Sequence, residues 1–217
     1  LVGDLLANDR AGVSYLVFGR ADGFPASLDL DSLDGTTGFK LTGVQPRESS
    51  GWSVSGAGDV NGDGFDDLMI GAPGTDHGGF SAGSTYVVFG HAQGFGASLD
   101  LGALDGSNGF RIDGPDQFRD IGIVIAAAGD INGDGFDDVL ASTPFNGPIG
   151  PNNGAGVTYV VYGKADGQGP VLDIGTLDGS NGFEIVGASD FDLSGFTLAG
   201  AGDVNGDGVG DFLIGAT

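Results

Sequence analysis

The chain repeats one unit three times, and this repetition constrains its fold more than any other feature. The segment VSYLVFG (13–19) recurs as STYVVFG (84–90) and as VTYVVYG (157–163), and longer segments recur in the same order. The spacing divides the chain into units at about 1–71, 72–142 and 143–217. A long fixed period indicates an array in which each unit is one structural building block, so we interpret the 217 residues as a single repeat domain.

Each unit contains four short segments with strand character. One set reads SVSGAGDV, DDLMIGA, STYVVFG and GFRIDG, rich in β-branched or aromatic residues and bounded by Gly, Asp or Asn. The segment SLDLDSL is too short and too closely bounded by Gly to predict more than a turn. Four strands per unit predict an all-β fold of about three β-propeller blades, each with four antiparallel strands. A stacked solenoid is the alternative, although most solenoid periods are shorter.

The composition excludes several classes of function. Seven Lys and Arg against 30 Asp and Glu give a net charge of −23, which repels nucleic acid and anionic membrane surfaces. The absence of Cys excludes disulfides, thiol catalysis and Cys-based zinc sites. No apolar run approaches the ~20 residues of a membrane-spanning helix. Only two of the acids are Glu, and the excess of Asp favours turns and metal loops.

An Asp-rich loop of the form D-x-N-x-D-G-x-x-D occurs once in each unit. Calcium prefers six to eight oxygen ligands, and oxygens at loop positions 1, 3 and 5 converge when the chain turns sharply at the glycine in position 6. Position 7 then presents its carbonyl, and position 9 supplies a further carboxylate. The predicted ligands of three calcium sites are Asp59, Asn61, Asp63, the carbonyl of Phe65 and Asp67; Asp130, Asn132, Asp134, the carbonyl of Phe136 and Asp138; and Asp203, Asn205, Asp207, the carbonyl of Val209 and Asp211.

Two other interpretations of these loops are less favoured. An EF-hand requires an acidic residue at position 12, where this chain has Ile70, Ala141 and Ile214. A single loop of this kind would also suit an ordinary Asn-Gly turn, but three copies with one ligand pattern favour metal binding. Position 8 is Asp66 and Asp137 in the first two loops and Gly210 in the third, which indicates that this acid is not an essential ligand.

These motifs resemble the FG-GAP repeats of the integrin α-subunit propeller and of bacterial relatives. Phe18-Gly19, Phe89-Gly90 and Tyr162-Gly163 stand at the "FG" position, and Gly71-Ala72-Pro73 spells "GAP". The similarity spans nearly the whole chain and is greatest to the long, acidic, cysteine-free repeat proteins that bacteria export. It implies calcium on one face of a propeller and an extracellular or cell-surface location.

The same resemblance implies that a protein or glycan partner binds the face opposite the calcium loops. Four loops that vary among the units are the expected partner-binding segments, at 72–83, 115–120, 144–156 and 188–193. A fold-level analogy identifies no particular partner, and the chain contains no Arg-Gly-Asp tripeptide.

Catalysis is not expected. Residues 79–83 match G-x-S-x-G, but a nucleophile elbow needs a strand before the motif and a helix after it, and the other units lack the serine. His77 and His91 do not recur and are expected to be solvated loop residues. Trp52, whose place Phe196 takes in the third unit, is expected in the core rather than in a sugar-stacking site.

The sequence therefore favours a non-enzymatic, calcium-binding propeller segment of an exported adhesion or recognition protein. A carrier module attached to a secreted enzyme and a lectin-like carbohydrate binder are the alternatives. The chain begins and ends within a repeat, so we also expect self-association through a divided blade, or additional blades in a longer chain, because three blades do not close a ring.

Overall fold

The computed structural model describes residues 2–4, 7–116, 119–145, 154–165 and 167–217. Within these residues the fold is almost entirely β-structure. The one α-helical segment, α1 (Ala7–Arg10), has four residues, and single 3-10 turns lie at Leu30–Ser32, Leu101–Ala103 and Ile174–Thr176. No helix in this part of the chain has the length and apolar character needed to cross a bilayer.

The strands are short, as expected for segments bounded by Gly and Asp. In chain order they are β1 (Val2–Asp4), β2 (Val13–Val17), β3 (Gly38–Thr42), β4 (Ser53–Gly58), β5 (Asp67–Ala72), β6 (Ser84–Val88), β7 (Ser98–Asp100), β8 (Gly109–Asp113), β9 (Val124–Gly129), β10 (Asp138–Thr143), β11 (Val157–Val161), β12 (Val171–Asp173), β13 (Gly182–Val186), β14 (Thr197–Gly202) and β15 (Asp211–Gly215).

These strands form antiparallel sheets of the predicted blade type. Blade 2 consists of β4, β5, β6 and β8, and blade 3 consists of β9, β10, β11 and β13, each in that spatial order. Strands β1, β2 and β3 form blade 1, and β14 pairs with β15. The first strands β4, β9 and β14 lie side by side, as the inner strands of a propeller do. The predicted all-β propeller is confirmed, with open sheets that correspond to part of a ring.

One feature of the sheets differs from the prediction. The SLDLDSL-type segment was expected to form only a turn. In the second and third units it contains a three-residue strand, β7 or β12, that pairs in parallel with the last strand of the preceding blade. Thus β7 pairs with β3, where Leu41 faces Leu99, and β12 pairs with β8, where Ile112 faces Leu172. Each of these links therefore adds an edge strand to the previous sheet before the fourth strand of its own blade begins; β7 is the fourth strand of its sheet and β12 the fifth.

Alternate side chains of each strand enter two different cores. In β5, Met69 packs toward blade 3, whereas Ile70 packs toward blade 1 with Phe39 and Tyr86. All four side chains are fully buried. Because successive residues of a strand point to opposite faces, every complete blade is apolar on both sides. In the sequence, such a strand is recognised because its residues do not alternate between apolar and polar.

The loops divide between two faces of the molecule. The Asp-rich loops 59–66, 130–137 and 203–210 join the first strand of each sheet to the second and define the Asp-loop face. Loops 73–83 and 187–196, together with the described residues of loop 114–123, lie at the other ends of the strands and belong to the opposite face. The expected partner loops 72–83 and 188–193 lie on that opposite face. Parts of 115–120 and 144–156 lie outside the described residues.

Trp52 was expected in the core, and this expectation is wrong: 53% of its surface is exposed. Trp52 precedes β4 by one residue, so it stands outside the alternating pattern that directs strand side chains between blades. Phe196 occupies the equivalent place and is 42% exposed, with its ring edge-on to Phe145 at 6.0 Å. The aromatic residue directly before the first strand of a blade is therefore exposed to solvent on the opposite face.

Candidate metal centre

The three Asp-rich loops begin from the same local geometry. In each sheet the pairing of the first two strands shifts at the residue before the loop, so that Gly58 faces Asp67, Gly129 faces Asp138 and Gly202 faces Asp211. A β-bulge bends its strand and re-aims the side chains beside it. The bulge brings the first and last Asp of each loop to adjacent strand ends.

The carboxylate at position 1 organises the first half of each loop. Asp59 Oδ1 accepts a hydrogen bond from the Asp63 N–H at 3.0 Å, and Asp59 Oδ2 accepts one from the Gly64 N–H at 2.9 Å. Asp130 and Asp203 accept the equivalent bonds in their loops. The chain therefore wraps around this carboxylate, and the position-6 glycines have φ between +88° and +92°, where a side chain would be strained.

The oxygens at positions 3 and 5 turn toward the same loop. Asn61 Oδ1 accepts the Asp63 N–H at 3.0 Å, and Asp63 Oδ1 accepts the Phe65 N–H at 2.9 Å. The other two loops repeat both bonds, with donor–acceptor distances from 2.9 to 3.0 Å. An amide or carboxylate oxygen has two acceptor positions, so each of these oxygens at positions 3 and 5 keeps one for a cation, whereas Oδ1 of Asp130 and of Asp203 at position 1 already accepts two N–H groups.

The carboxylate at position 9 has a second task. Asp67 is fully buried, and its oxygens accept the N–H groups of Val60 at 2.9 Å and Gly90 at 2.8 Å. Asp138 repeats this arrangement with Ile131 at 3.0 Å and Gly163 at 2.9 Å. The glycines of the second and third "FG" pairs, Gly90 and Gly163, thus hold the last Asp of loops 59–67 and 130–138, a link that the sequence motif did not reveal.

Burial shifts the acidity of these last carboxylates. Loss of solvent raises the pKa of Asp67 to about 7 and that of Asp138 to about 6, against the opposing effect of the backbone hydrogen bonds, while neighbouring loop acids add to the rise. In the exposed third loop, the backbone hydrogen bond from Gly208 is the main cause that lowers the pKa of Asp203. A buried carboxylate beside other acids is costly in the charged form, and a bound cation would offset that cost.

The predicted ligands are oxygen atoms, which suit a hard cation, but they are not provided by a compact group of acidic side chains. Among the described residues, no three side chains of His, Cys, Asp or Glu stand together as a group that could hold a metal ion. In each loop, two of the five predicted oxygens come from an Asn and a carbonyl, and the last Asp is engaged by backbone N–H groups. The fifteen predicted ligands remain a prediction, and the hydrogen-bond pattern that the three loops share involves only the side chains at positions 1, 3 and 5.

Known proteins share both the repeats and their arrangement. The FG-GAP repeat family matches residues 50–88 and 123–161, which span the Asp-rich loop and the first three strands of blades 2 and 3. The chain contains FG-GAP repeats. The bacterial part of the sequence resemblance stays a prediction, because the relatives described below are animal proteins.

Three relatives illustrate the range of proteins that contain such a segment. Integrin alpha pat-2 of Caenorhabditis elegans is 34% identical over 80% of this chain and 14% of its own length. Integrin alpha-V of Gallus gallus is 31% identical over 82% of this chain and 16% of its own. Phosphatidylinositol-glycan-specific phospholipase D of Rattus norvegicus is 31% identical over 88% of this chain and 21% of its own. The FG-GAP chain thus spans a small part of each relative.

Proposed function

We propose that this chain is a calcium-stabilised, non-enzymatic propeller segment of an adhesion or surface-recognition protein that acts outside the cell. The observation that carries the proposal is the threefold repetition of one loop geometry, with oxygens of positions 1, 3 and 5 held inward by the same hydrogen bonds. The similarity to integrin α chains supports the recognition role.

Calcium suits these loops better than magnesium. Magnesium requires near-ideal octahedral geometry, whereas calcium accepts irregular sets of six to eight oxygens, including carbonyls and amides. The side chains of Asp59, Asn61, Asp63 and Asp67 with the Phe65 carbonyl would hold the ion of the first loop, and the equivalent residues would hold the ions of the other two. Bound calcium supplies positive charge among clustered carboxylates and cross-links the two strands that each loop joins.

Exposed aromatic side chains support recognition through the opposite face. Trp52, Phe80, Phe145, Phe191 and Phe196 belong to that face, and between 42% and 74% of the surface of each is exposed. Exposed aromatic surface commonly marks a contact site for a partner. We assign partner recognition, whether of protein or of glycan, to this face, and a glycan array compared for the wild type and Trp52→Ala tests the lectin-like alternative.

A second candidate function is that of a carrier module in a secreted enzyme. The observation that favours it is the match to phosphatidylinositol-glycan-specific phospholipase D, which covers more of this chain than the integrin matches do. A catalytic domain elsewhere in the full-length protein would favour the carrier role, whereas a chain built only of recognition repeats would favour adhesion.

Removal of calcium tests the proposed function directly. A ligand that binds only the folded state stabilises it by about 2.7 kcal/mol per site at ~100 times its Kd. Three sites would contribute roughly 8 kcal/mol, which is comparable to the stability of a whole domain. We therefore expect a chelator to lower the melting temperature strongly, and calcium to restore it better than magnesium. An unchanged melting curve in the chelator would overturn the proposal.

The ligand assignment has its own test by titration calorimetry. Asp63→Ala, Asp134→Ala and Asp207→Ala each remove a central carboxylate from one loop, and all three residues are exposed, so no core packing is lost. Each variant should bind about one ion fewer than the wild type. Wild-type stoichiometry in all three would show that these residues are not the ligands.

A further inference from the structure

Loop 2 (residues 130–138) reaches across the blade boundary and holds the first residue of loop 1 (residues 59–67). The Asp59 N–H donates to Asp137 Oδ2 at 2.8 Å, and the Asp137 N–H donates to the Asp59 carbonyl at 3.0 Å. Residue 137 therefore fixes the peptide groups on both sides of Asp59. The orientation of the Asp59 carboxylate, the predicted position-1 ligand of loop 1, depends on those two peptides.

Close packing surrounds this contact. A Cβ at Gly58 would overlap the Asp137 carboxylate, and a Cβ at Gly62 would overlap the Phe136 ring. The Lys164 N–H also donates to the Val60 carbonyl at 3.0 Å. Blade 3 thus contacts loop 1 at positions 1, 2 and 4; the acid at position 8 of loop 2 occupies the space that Gly58 leaves open, and the Phe136 ring occupies the space at Gly62.

The next blade boundary lacks this acid and provides a natural comparison. Gly210 stands at position 8 of loop 3 (residues 203–211), and its N–H donates to the Asp130 carbonyl at 2.7 Å, as the Asp137 N–H does to Asp59. No carboxylate is present at residue 210, and the space above Gly129 contains no atom within 4 Å of an added Cβ. This boundary therefore keeps the backbone hydrogen bond between the two loops but lacks the hydrogen bond to a position-8 carboxylate.

We propose that Asp137 is a positioning residue that preorganises loop 1 for calcium and couples loop 1 to loop 2. The inference rests on the proposed calcium function. Asp137 stands between the Phe136 carbonyl and the Asp138 carboxylate, both predicted ligands in loop 2, so an ion in loop 2 fixes the segment that holds Asp59. Coupling of this kind is reciprocal, so each ion strengthens the binding of the other. Loops 2 and 3 are coupled more weakly, because only the backbone bond links them.

The test isolates loop 1 in the background Asp134→Ala with Asp207→Ala and measures calcium binding by calorimetry. In that background Asp137→Ala should weaken binding by about tenfold or more, because one charge-assisted hydrogen bond is lost. Asp137→Asn, which keeps an acceptor oxygen, should recover part of the affinity. The matched control is Asp66→Ala, which removes the position-8 acid of loop 1, a side chain that is exposed and forms no hydrogen bond to the described residues.

Coupling has a separate readout. With Asp207→Ala alone, loops 1 and 2 should bind two ions with positive cooperativity, and adding Asp137→Ala should reduce that cooperativity, because only the backbone bond then links the loops. If Asp137→Ala lowers stability equally in calcium and in chelator but leaves affinity and cooperativity unchanged, its role is purely structural and the positioning proposal is wrong. If the parent background binds no calcium, the proposed function itself is wrong.

Gly210→Asp provides a test that adds the interaction instead of removing it. In the background Asp63→Ala with Asp207→Ala, only loop 2 keeps its central carboxylate. An acid at residue 210 can then reach the Asp130 N–H, although its Cβ would lie 3.1 Å from the Asp130 carbonyl, so the neighbouring backbone must yield slightly. We expect several-fold tighter binding by loop 2. Unchanged or weaker binding would contradict the role assigned to a position-8 acid.

Discussion

At the scale of single residues, Glu48 is a fully buried acid outside the Asp loops. It lies in the loop between β3 and β4. Its two oxygens accept the N–H groups of Val44 at 2.8 Å and Gln45 at 2.9 Å. The carboxylate thus satisfies two backbone donors that the loop itself leaves unpaired, and it shapes the opposite face beside Trp52.

Glu48→Ala should lower the free energy of unfolding by about 2 to 4 kcal/mol, because two buried N–H groups lose their acceptors. Urea denaturation in calcium measures the loss. The only other glutamate, Glu184, is exposed on β13 and serves as the control; Glu184→Ala should change stability by less than about 0.5 kcal/mol. Similar losses in the two variants would contradict the structural role of Glu48.

The same residue predicts a pH dependence. Burial raises the pKa of Glu48, while the backbone hydrogen bonds, Tyr86 and the Arg111 charge oppose the rise. The folded state therefore holds this proton more tightly than the unfolded chain, and the wild type gains stability at Glu48 as the pH falls through the raised pKa. Relative to Glu48→Gln, which does not titrate there, the wild type should be more stable at about pH 5 than at about pH 7. A constant difference would exclude this titration.

Sequence patterns identify loop residues well but not the partners of those residues. The identical hydrogen bonds of Asp59, Asp130 and Asp203 follow from identical local sequences, because all their partners lie within five residues. The contact between Asp137 and Asp59 spans 78 residues, and no pattern within one unit specifies it. The glycine at residue 210 was the available signal, since it showed that position 8 serves something other than the ion.

At the scale of elements, the strands of each blade were predictable and the link between blades was not. Strands β5, β6, β10 and β11 are apolar on both faces and have clear Gly and Asp boundaries. Strand β7 has only three residues, and its parallel partner β3 belongs to the preceding unit. Short-range propensity contains no information about such a long-range pairing. The 3-10 turn after it is capped by Asp100, whose side chain accepts the Gly102 N–H at 2.9 Å.

The residue that follows β7 should determine how strongly this link is held. Leu101 is buried with Phe39 and Leu41 of blade 1, so Leu101→Ala should cost about 2 to 4 kcal/mol through lost burial and a cavity. The equivalent residue of the first unit, Leu30, is only half-buried, and Leu30→Ala should cost less than about 2 kcal/mol. Urea midpoints in calcium compare the two variants. Equal losses would show that the link does not anchor unit 2 to blade 1.

At the scale of the whole molecule, the acids are unevenly distributed. Eleven of the 28 Asp residues belong to the nine-residue Asp motifs 59–67, 130–138 and 203–211, all on one face, while the chain as a whole has a net charge of −23. Self-repulsion on this scale opposes the compact state. Three divalent ions in the proposed sites would add six positive charges and bring −23 to −17, and they would do so where the negative charge is densest.

This distribution predicts different salt responses for the two forms of the protein. Salt shortens the Debye length from ~30 Å at 0.01 M to about 10 Å at 0.1 M, and it weakens repulsion between exposed charges. The chelated protein, with its carboxylates uncompensated, should therefore gain more in melting temperature from added sodium chloride than the calcium-loaded protein. Calorimetric scans of both forms at low and moderate salt measure the difference. Because burial of apolar surface is the same in both forms, a general salting-out effect would raise the two melting temperatures equally, and an equal rise would mean that calcium does not relieve repulsion on the Asp-loop face.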